Sequence, residues 1–230
     1  MDSLIDSLEN LTIETFDTYL KKRTDEFLEL NKKEFIENIN KREPKVLSKI
    51  KNFYENKWIS SERLETPFEE YLELIKKDKF LQMHFRKDPT KQSIHEKVQI
   101  EWIKKFYPDI VKLPADTNGL YFQNGQLKKI DSKRNNSCSK TIDIEIPSKK
   151  IYGILKYSTT AGGAQDNQKD DVVFFIREIV KYLDKFETEY IFHIYLDGAY
   201  YTQNVLDLLK SDIPEEYFTK IIMCNCKNLK

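Results

Sequence analysis

Asp143 and Lys156 stand on two adjacent β-branched runs, Thr141-Ile-Asp-Ile-Glu-Ile146 and Lys150-Ile-Tyr-Gly-Ile-Leu-Lys-Tyr157, joined through a turn at Pro147-Ser148 and Lys149. Runs of this kind around a short turn read as a β-hairpin, which brings the acid and the lysine to one patch. Such a pair suits metal-dependent phosphodiester hydrolysis: the carboxylate holds the cation, and the lysine holds or activates the attacking water. Glu145 is two positions from Asp143 and shares its strand face, while Ile142, Ile144 and Ile146 point to the core. Two acids on one strand face also describe the solvated side of an edge strand. The lysine on the neighbouring run is what gives the patch a chemistry.

Behind the lysine comes Ser158-Thr-Thr-Ala-Gly-Gly-Ala-Gln-Asp-Asn-Gln168, a polar, glycine-bearing stretch expected at the same end of the sheet. Gly162-Gly163 lacks both the Lys-Ser/Thr of a phosphate-binding P-loop and the spacing of a dinucleotide fingerprint. The pair instead suits a sharp turn into a helix or close approach of the backbone to DNA. Gln165, Asn167 and Gln168 carry amides of the kind that read adenine edges. Equally, Asp166 or Asn167 could cap the following helix. His84, His95 and His193 form neither a metal cluster nor a triad, and His193 lies in an apolar run as a hydrogen-bonded core histidine.

The elements that must position these residues follow two patterns. From Met1 to about Tyr107 the apolar spacing is helical, as in Phe27, Leu30, Phe35 and Ile39, and Pro44, Pro67 and Pro89 divide it into separate helices. A helix is expected over 92–106, with Ile94, Val98 and Trp102 on one stripe and Gln92, Glu96 and Gln99 on another. After Pro108 strands take over: a hairpin turning at Asn124-Gly125, then strands over 140–146 and 150–158. A helix over 171–186, a strand over 190–196, a short helix over 205–210 and a last strand over 219–224 complete the chain. The expected organisation is a helical region over 1–90 and a core over 91–230. The helical region either stands as its own unit or wraps the sheet; the need for the 92–106 helix to cover one sheet face favours wrapping.

Composition bounds the partners. Of 230 residues, 38 are basic and 38 acidic, so the overall electrostatic footprint of a nucleic-acid binder is missing. Locally, the segment containing Lys133, Arg134, Lys140 and Lys156 is basic. Three cysteines match neither a zinc pattern nor an even disulfide set, which suits a reducing compartment. No apolar run approaches a membrane span, and the acidic start lacks the features of a signal peptide; a soluble, cytoplasmic protein is expected.

The second half of the chain resembles the PD-(D/E)xK nuclease superfamily, and within it the type II restriction endonucleases. The resemblance rests on the α-β-β-β-α-β order from residue 92 to 196, the Lys140-Thr-Ile-Asp143 and Gly153-Ile-Leu-Lys156 strands, and the Tyr195-Leu-Asp-Gly198 strand end. The lysine followed by Gly-Gly-Ala-Gln-Asp-Asn-Gln168 is its most specific part. It implies an α/β fold with a restriction-endonuclease-like mixed sheet flanked by helices. It further implies a bacterial, site-specific endonuclease that cleaves double-stranded DNA with Mg²⁺, leaves 5′-phosphates and works as a homodimer. Asp143 takes the role of main metal ligand and Lys156 that of the active-site lysine. The family acid two residues before the lysine is replaced here by Ile154. Glu145, Asp166 and Glu178 are the candidates for the second ligand. The resemblance also implies a glutamate from the first core helix at the edge of the site, a role that Glu96 fits better than Glu101. Gln165, Asn167, Gln168, Lys140, Lys133 and Arg134 are the expected DNA contacts. The competing expectations are a resolvase or repair nuclease of the same superfamily, and an interaction module that has lost its metal site, as Ile154 suggests.

Overall fold

The computed structural model describes residues 14–58, 66–86, 94–131, 141–159 and 163–229, with the backbone alone for 57, 58 and 163–167. Lys133, Arg134 and Lys140 lie outside the described residues, and so do Gly162 and the expected helix start at 92 and 93. The described residues form an α/β protein of seven α-helices, a mixed five-stranded sheet and a two-stranded hairpin. They separate into two compact units. One runs from Thr18 to His95; the other joins the residues through Asp17 to those from Glu96 onward.

The first unit is helical. It holds most of α1 (Phe16–Asn40), with α2 (Pro44–Phe53), α3 (Phe68–Lys77) and α4 (Lys79–Phe85). Pro44 opens α2, where its missing N–H is not needed. Asp78 caps α4 by accepting from the amides of Phe80 and Leu81. The unit has its own apolar cluster of Phe35, Ile39, Ile50, Tyr71, Leu72, Ile75 and Phe85. This segment is therefore a compact unit with a core of its own.

The second unit is built on the strand order β1-β4-β5-β6-β7. β1 (Val111–Lys112), β4 (Ile144–Ile146) and β5 (Ile151–Tyr157) run antiparallel to one another in turn; β6 (Ile191–Asp197) and β7 (Ile221–Cys224) continue in parallel from β5. β1 was absent from the sequence expectation because two residues leave no readable period. β2 (Leu120–Phe122) and β3 (Leu127–Lys129) form the expected hairpin, with Asn124 and Gly125 both at positive φ as their turn requires.

The β4–β5 link is the 3-10 turn Pro147–Lys149, closed by Lys150 in the left-handed region. Gly153 faces Ile144 across this pair, and a Cβ there would stand 2.6 Å from the Ile144 Cγ1. Only glycine lets the two strands close at the level of Asp143.

Helices cover both faces. Phe192, Ile194 and Leu196 of β6 share one cluster with Ile154 of β5 and with Val172, Phe175, Ile176 and Ile179 of α6 (Gly163–Leu183). Leu209 of α7 (Gln203–Lys210) joins the same cluster. On the other face α5 (Ile94–Lys104) buries Val98, Gln99, Trp102 and Ile103. The Trp102 indole donates to the Cys226 carbonyl at 2.9 Å, so its polar edge is satisfied inside.

One boundary differs notably from the sequence expectation. α6 starts at Gly163, not near 171, so Gln165, Asp166 and Asn167 lie within its first turns and none is its N-cap. Once the glycine pair is passed, the alanine and glutamines that follow are competent helix formers.

Candidate active site at the β4–β5 edge

The Asp143 backbone is held from both sides: its N–H donates to the Gly153 carbonyl at 3.0 Å, and its carbonyl accepts from Leu113 at 2.8 Å. Its carboxylate turns to β5 and accepts the Leu155 amide at 2.7 Å. Asp143 thus reaches the strand that carries Lys156, as the hairpin reading requires. Burial pushes the Asp143 carboxyl up to about 6. The Leu155 hydrogen bond opposes that rise, the nearby Glu96 charge adds to it, and Lys156 and Lys112 pull it back. Glu96, Lys156 and Lys112 are thus the charged groups that act on the Asp143 carboxylate.

Each lysine is held by an acid. The Lys156 ammonium lies 3.3 Å from Asp171 of α6, and both side chains are largely buried. Lys156 pairs in register with Leu196, whose side chain packs on the α6 face, which explains why it meets Asp171 there. Lys112 lies 2.5 Å from Glu96 in a more open pair, with Lys112 half exposed. Neither Lys112 nor Asp171 was selected from the sequence. Lys112 sits on the strand that gave no periodic signal. Asp171 was taken as a helix start, although it stands one turn beyond Gln168 on a helix that begins earlier.

The other candidates fall elsewhere. Glu145 pairs with Tyr152, upstream of Lys156, and accepts from the Tyr190 hydroxyl at 2.9 Å; Tyr152 and Tyr190 are stacked beside it at 4.2 Å. Glu178 lies under the hairpin, accepting from the Gly125 amide at 2.8 Å and pairing with Lys181 at 2.7 Å. Ile154, at the position where the resemblance expected an acid, is in the core against α6. Gln168 is half-buried, and its amide oxygen is shielded with no hydrogen-bond partner among the described residues. The side chains of Gln165, Asp166 and Asn167 lie outside the described residues.

A divalent cation can be tested against these donors. No group of three or more His, Cys, Asp or Glu suited to a metal occurs among the described residues. Mg²⁺ is commonly held by only one or two carboxylates, with water and phosphate oxygens completing its octahedron. Asp143 and Glu96 supply two carboxylates whose mutual repulsion a cation would relieve, so the donor set fits Mg²⁺. Asp143 and Glu96 are the carboxylates that would hold such a cation, and Lys156 and Lys112 are the neighbouring positive charges.

Among the described residues no helix is long and apolar enough to cross a membrane. No protein-family model matches the chain, and comparison with curated proteins and with solved structures finds no significant match.

Proposed function

We propose that the protein is a Mg²⁺-dependent, site-specific endonuclease of double-stranded DNA, of the type II restriction class, that leaves 5′-phosphates. The observation that carries this reading is the buried Asp143 carboxylate of a mixed sheet, bonded to the Leu155 amide on the strand that carries Lys156, with Glu96 and Lys156 as its charged neighbours. The strand order β1-β4-β5-β6, antiparallel and then parallel with α6 entering between β5 and β6, supports a restriction-endonuclease-like core.

Asp143 and Glu96 would hold the ion, which when bound supplies charge stabilisation at the scissile phosphate and a more acidic water. The residues have separate tasks. Asp143 is fixed by its Leu155 hydrogen bond and by two backbone bonds, so its carboxylate costs little to orient. Lys156 orients the attacking water, and Asp171 positions Lys156. Cleavage of both strands at a two-fold symmetric site makes a homodimer the natural assembly.

The absence of a three-group metal cluster among the described residues, with Ile154 turned into the core, favours a second reading: an interaction module for DNA or protein without catalysis. Incubation with plasmid and phage DNA, in Mg²⁺ and in EDTA, separates the two. Discrete Mg²⁺-dependent fragments are expected, lost by about 10³-fold or more in Asp143→Ala and Lys156→Ala while DNA binding persists. A smear would indicate a nonspecific or repair-type nuclease, and intact DNA the interaction module. Wild-type cutting by either variant would remove the proposed centre.

A further inference from the structure

Lys112 and Lys156 flank the same carboxylate in contrasting settings. Lys156 is mostly buried and is matched by the mostly buried Asp171. Lys112 stands on the edge strand β1, in register with Ile144, and its side chain is 50% exposed. Its ammonium is 2.5 Å from a Glu96 oxygen, and it also acts on Asp143. An ammonium this close to Glu96 occupies ground that a metal ion shared by Glu96 and Asp143 would need, and it repels that ion. The Lys112–Glu96 pair and a cation on Glu96 therefore compete.

We propose that Lys112 is a counter-ion displaced by substrate: it holds Glu96 in the DNA-free protein and moves to a backbone phosphate when nucleic acid arrives, which frees Glu96 for the divalent cation. This rests on the nuclease reading and adds an order of assembly to it. The pair is open on its lysine side, with Lys112 50% and Glu96 27% exposed; an ion pair screened by solvent is weak and lysine is a compact charge on a flexible stem, so Glu96 can be exchanged for a phosphate. A polyanion that releases its own counterions supplies the drive. The two ligands then favour each other, and by linkage the cation strengthens DNA binding by the same factor as DNA strengthens cation binding. The result is a centre that holds metal poorly until a target phosphate is beside it.

The test is calorimetric titration of Mn²⁺ into the full chain, with and without short random-sequence duplexes at low salt. The DNA arm uses the Lys156→Ala background so that no cutting occurs. DNA is expected to tighten Mn²⁺ binding by roughly fivefold or more. Lys112→Gln should bind Mn²⁺ more tightly than wild type without DNA and gain little when DNA is added. Its DNA affinity should fall, with a salt dependence shallower by about one phosphate contact. Lys112→Arg, which keeps the charge, should retain most of the coupling. If Lys112→Gln leaves DNA-free Mn²⁺ affinity unchanged while Glu96→Gln weakens it, the displacement is refuted and the metal centre stands. If Asp143→Ala binds Mn²⁺ as wild type does, the centre itself is refuted and this inference falls with it.

Discussion

The β4–β5 edge and the β6–β7 junction each bury an aspartate, and the two are treated differently. At the junction, Asp197 is fully buried and accepts from the Gln99 amide at 2.7 Å and from the Cys226 N–H at 2.9 Å, one bond on each carboxylate oxygen. It ties α5 to the C-terminal turn. At the edge, the Asp143 carboxylate accepts one hydrogen bond among the described residues, from Leu155, and its neighbours are a second acid and two lysines. Burial raises both carboxyls. An acid whose oxygens are both occupied by protein donors acts as a fastener. An acid kept beside another acid, with its charge only partly answered, has the features of a ligand site.

This contrast makes opposite predictions for the two residues. The largest expected effect is at the junction: Asp197→Ala leaves the Cys226 N–H buried without an acceptor and the Gln99 amide with only its long 3.3 Å bond to the Lys156 carbonyl. It should cost roughly 1–3 kcal/mol in urea unfolding. A loss under about 0.5 kcal/mol would show that the junction is not fastened by this acid.

At the edge the sign reverses. The Asp143 carboxyl is raised from 3.8 to about 6 in the folded protein, so between those values the folded state binds more protons than the unfolded state. Stability from this group is full in acid, declines as pH rises from about 4 to about 6, and stays reduced above. Asp143→Asn should therefore stabilise the metal-free protein at pH 8, by up to about 3 kcal/mol, and make little difference near pH 4. If the protein is the proposed nuclease, the same substitution should remove cleavage. Chemical denaturation at the two pH values checks the stability claim; a pH-independent difference contradicts it.

His193 provides an opposing slope in the same acidic range. Burial lowers its imidazole from 6.5 to about 4, and its Nδ1 lies 3.3 Å from the Tyr195 hydroxyl. The folded state here binds fewer protons, so stability is lost as pH falls from about 6.5 to about 4. His193→Gln should lessen that acid-side loss by roughly 1–2 kcal/mol, read as a flatter melting temperature between pH 6.5 and 4. An unchanged acid limb would contradict a buried neutral imidazole.

The smallest effect is expected at Glu145, whose carboxylate is engaged by Tyr190 and not by the edge site. Glu145→Gln should change DNA cleavage less than about twofold, whereas Glu96→Gln should reduce it by about tenfold or more. Measured turnover of the two variants side by side tests this. Equal losses would return Glu145 to the metal site.

Much of the sheet was readable because its signals are local. Ile142, Ile144 and Ile146 alternate with Asp143 and Glu145, and all three isoleucines are buried. The Asn124-Gly125 turn, the 190–196 strand and the apolar stripe of Val172, Phe175, Ile176 and Ile179 follow from equally short-range patterns. Less of the candidate site could be read. Its partners come from a two-residue strand, a helix whose start was misplaced, and a helix face on which Gln99 and Glu96 looked alike. Gln99 proved to be buried against Asp197, and Glu96 proved to be beside Lys112.

The amino-acid order alone determined the alternation that buries the isoleucines, the turns that close both hairpins and the presence of an acid and a lysine on neighbouring strands. Those properties depend on backbone preferences and on a side-chain period spanning a few residues. Which acid meets which lysine was left to the packed fold. Glu145 and Glu96 are equally plausible in one dimension, and the choice between them depends on the register of β4 with β5 and on the seating of α5 and α6 against the sheet. Electrostatic coupling depends on separation in space and on burial, and both are set by contacts between residues far apart in the chain.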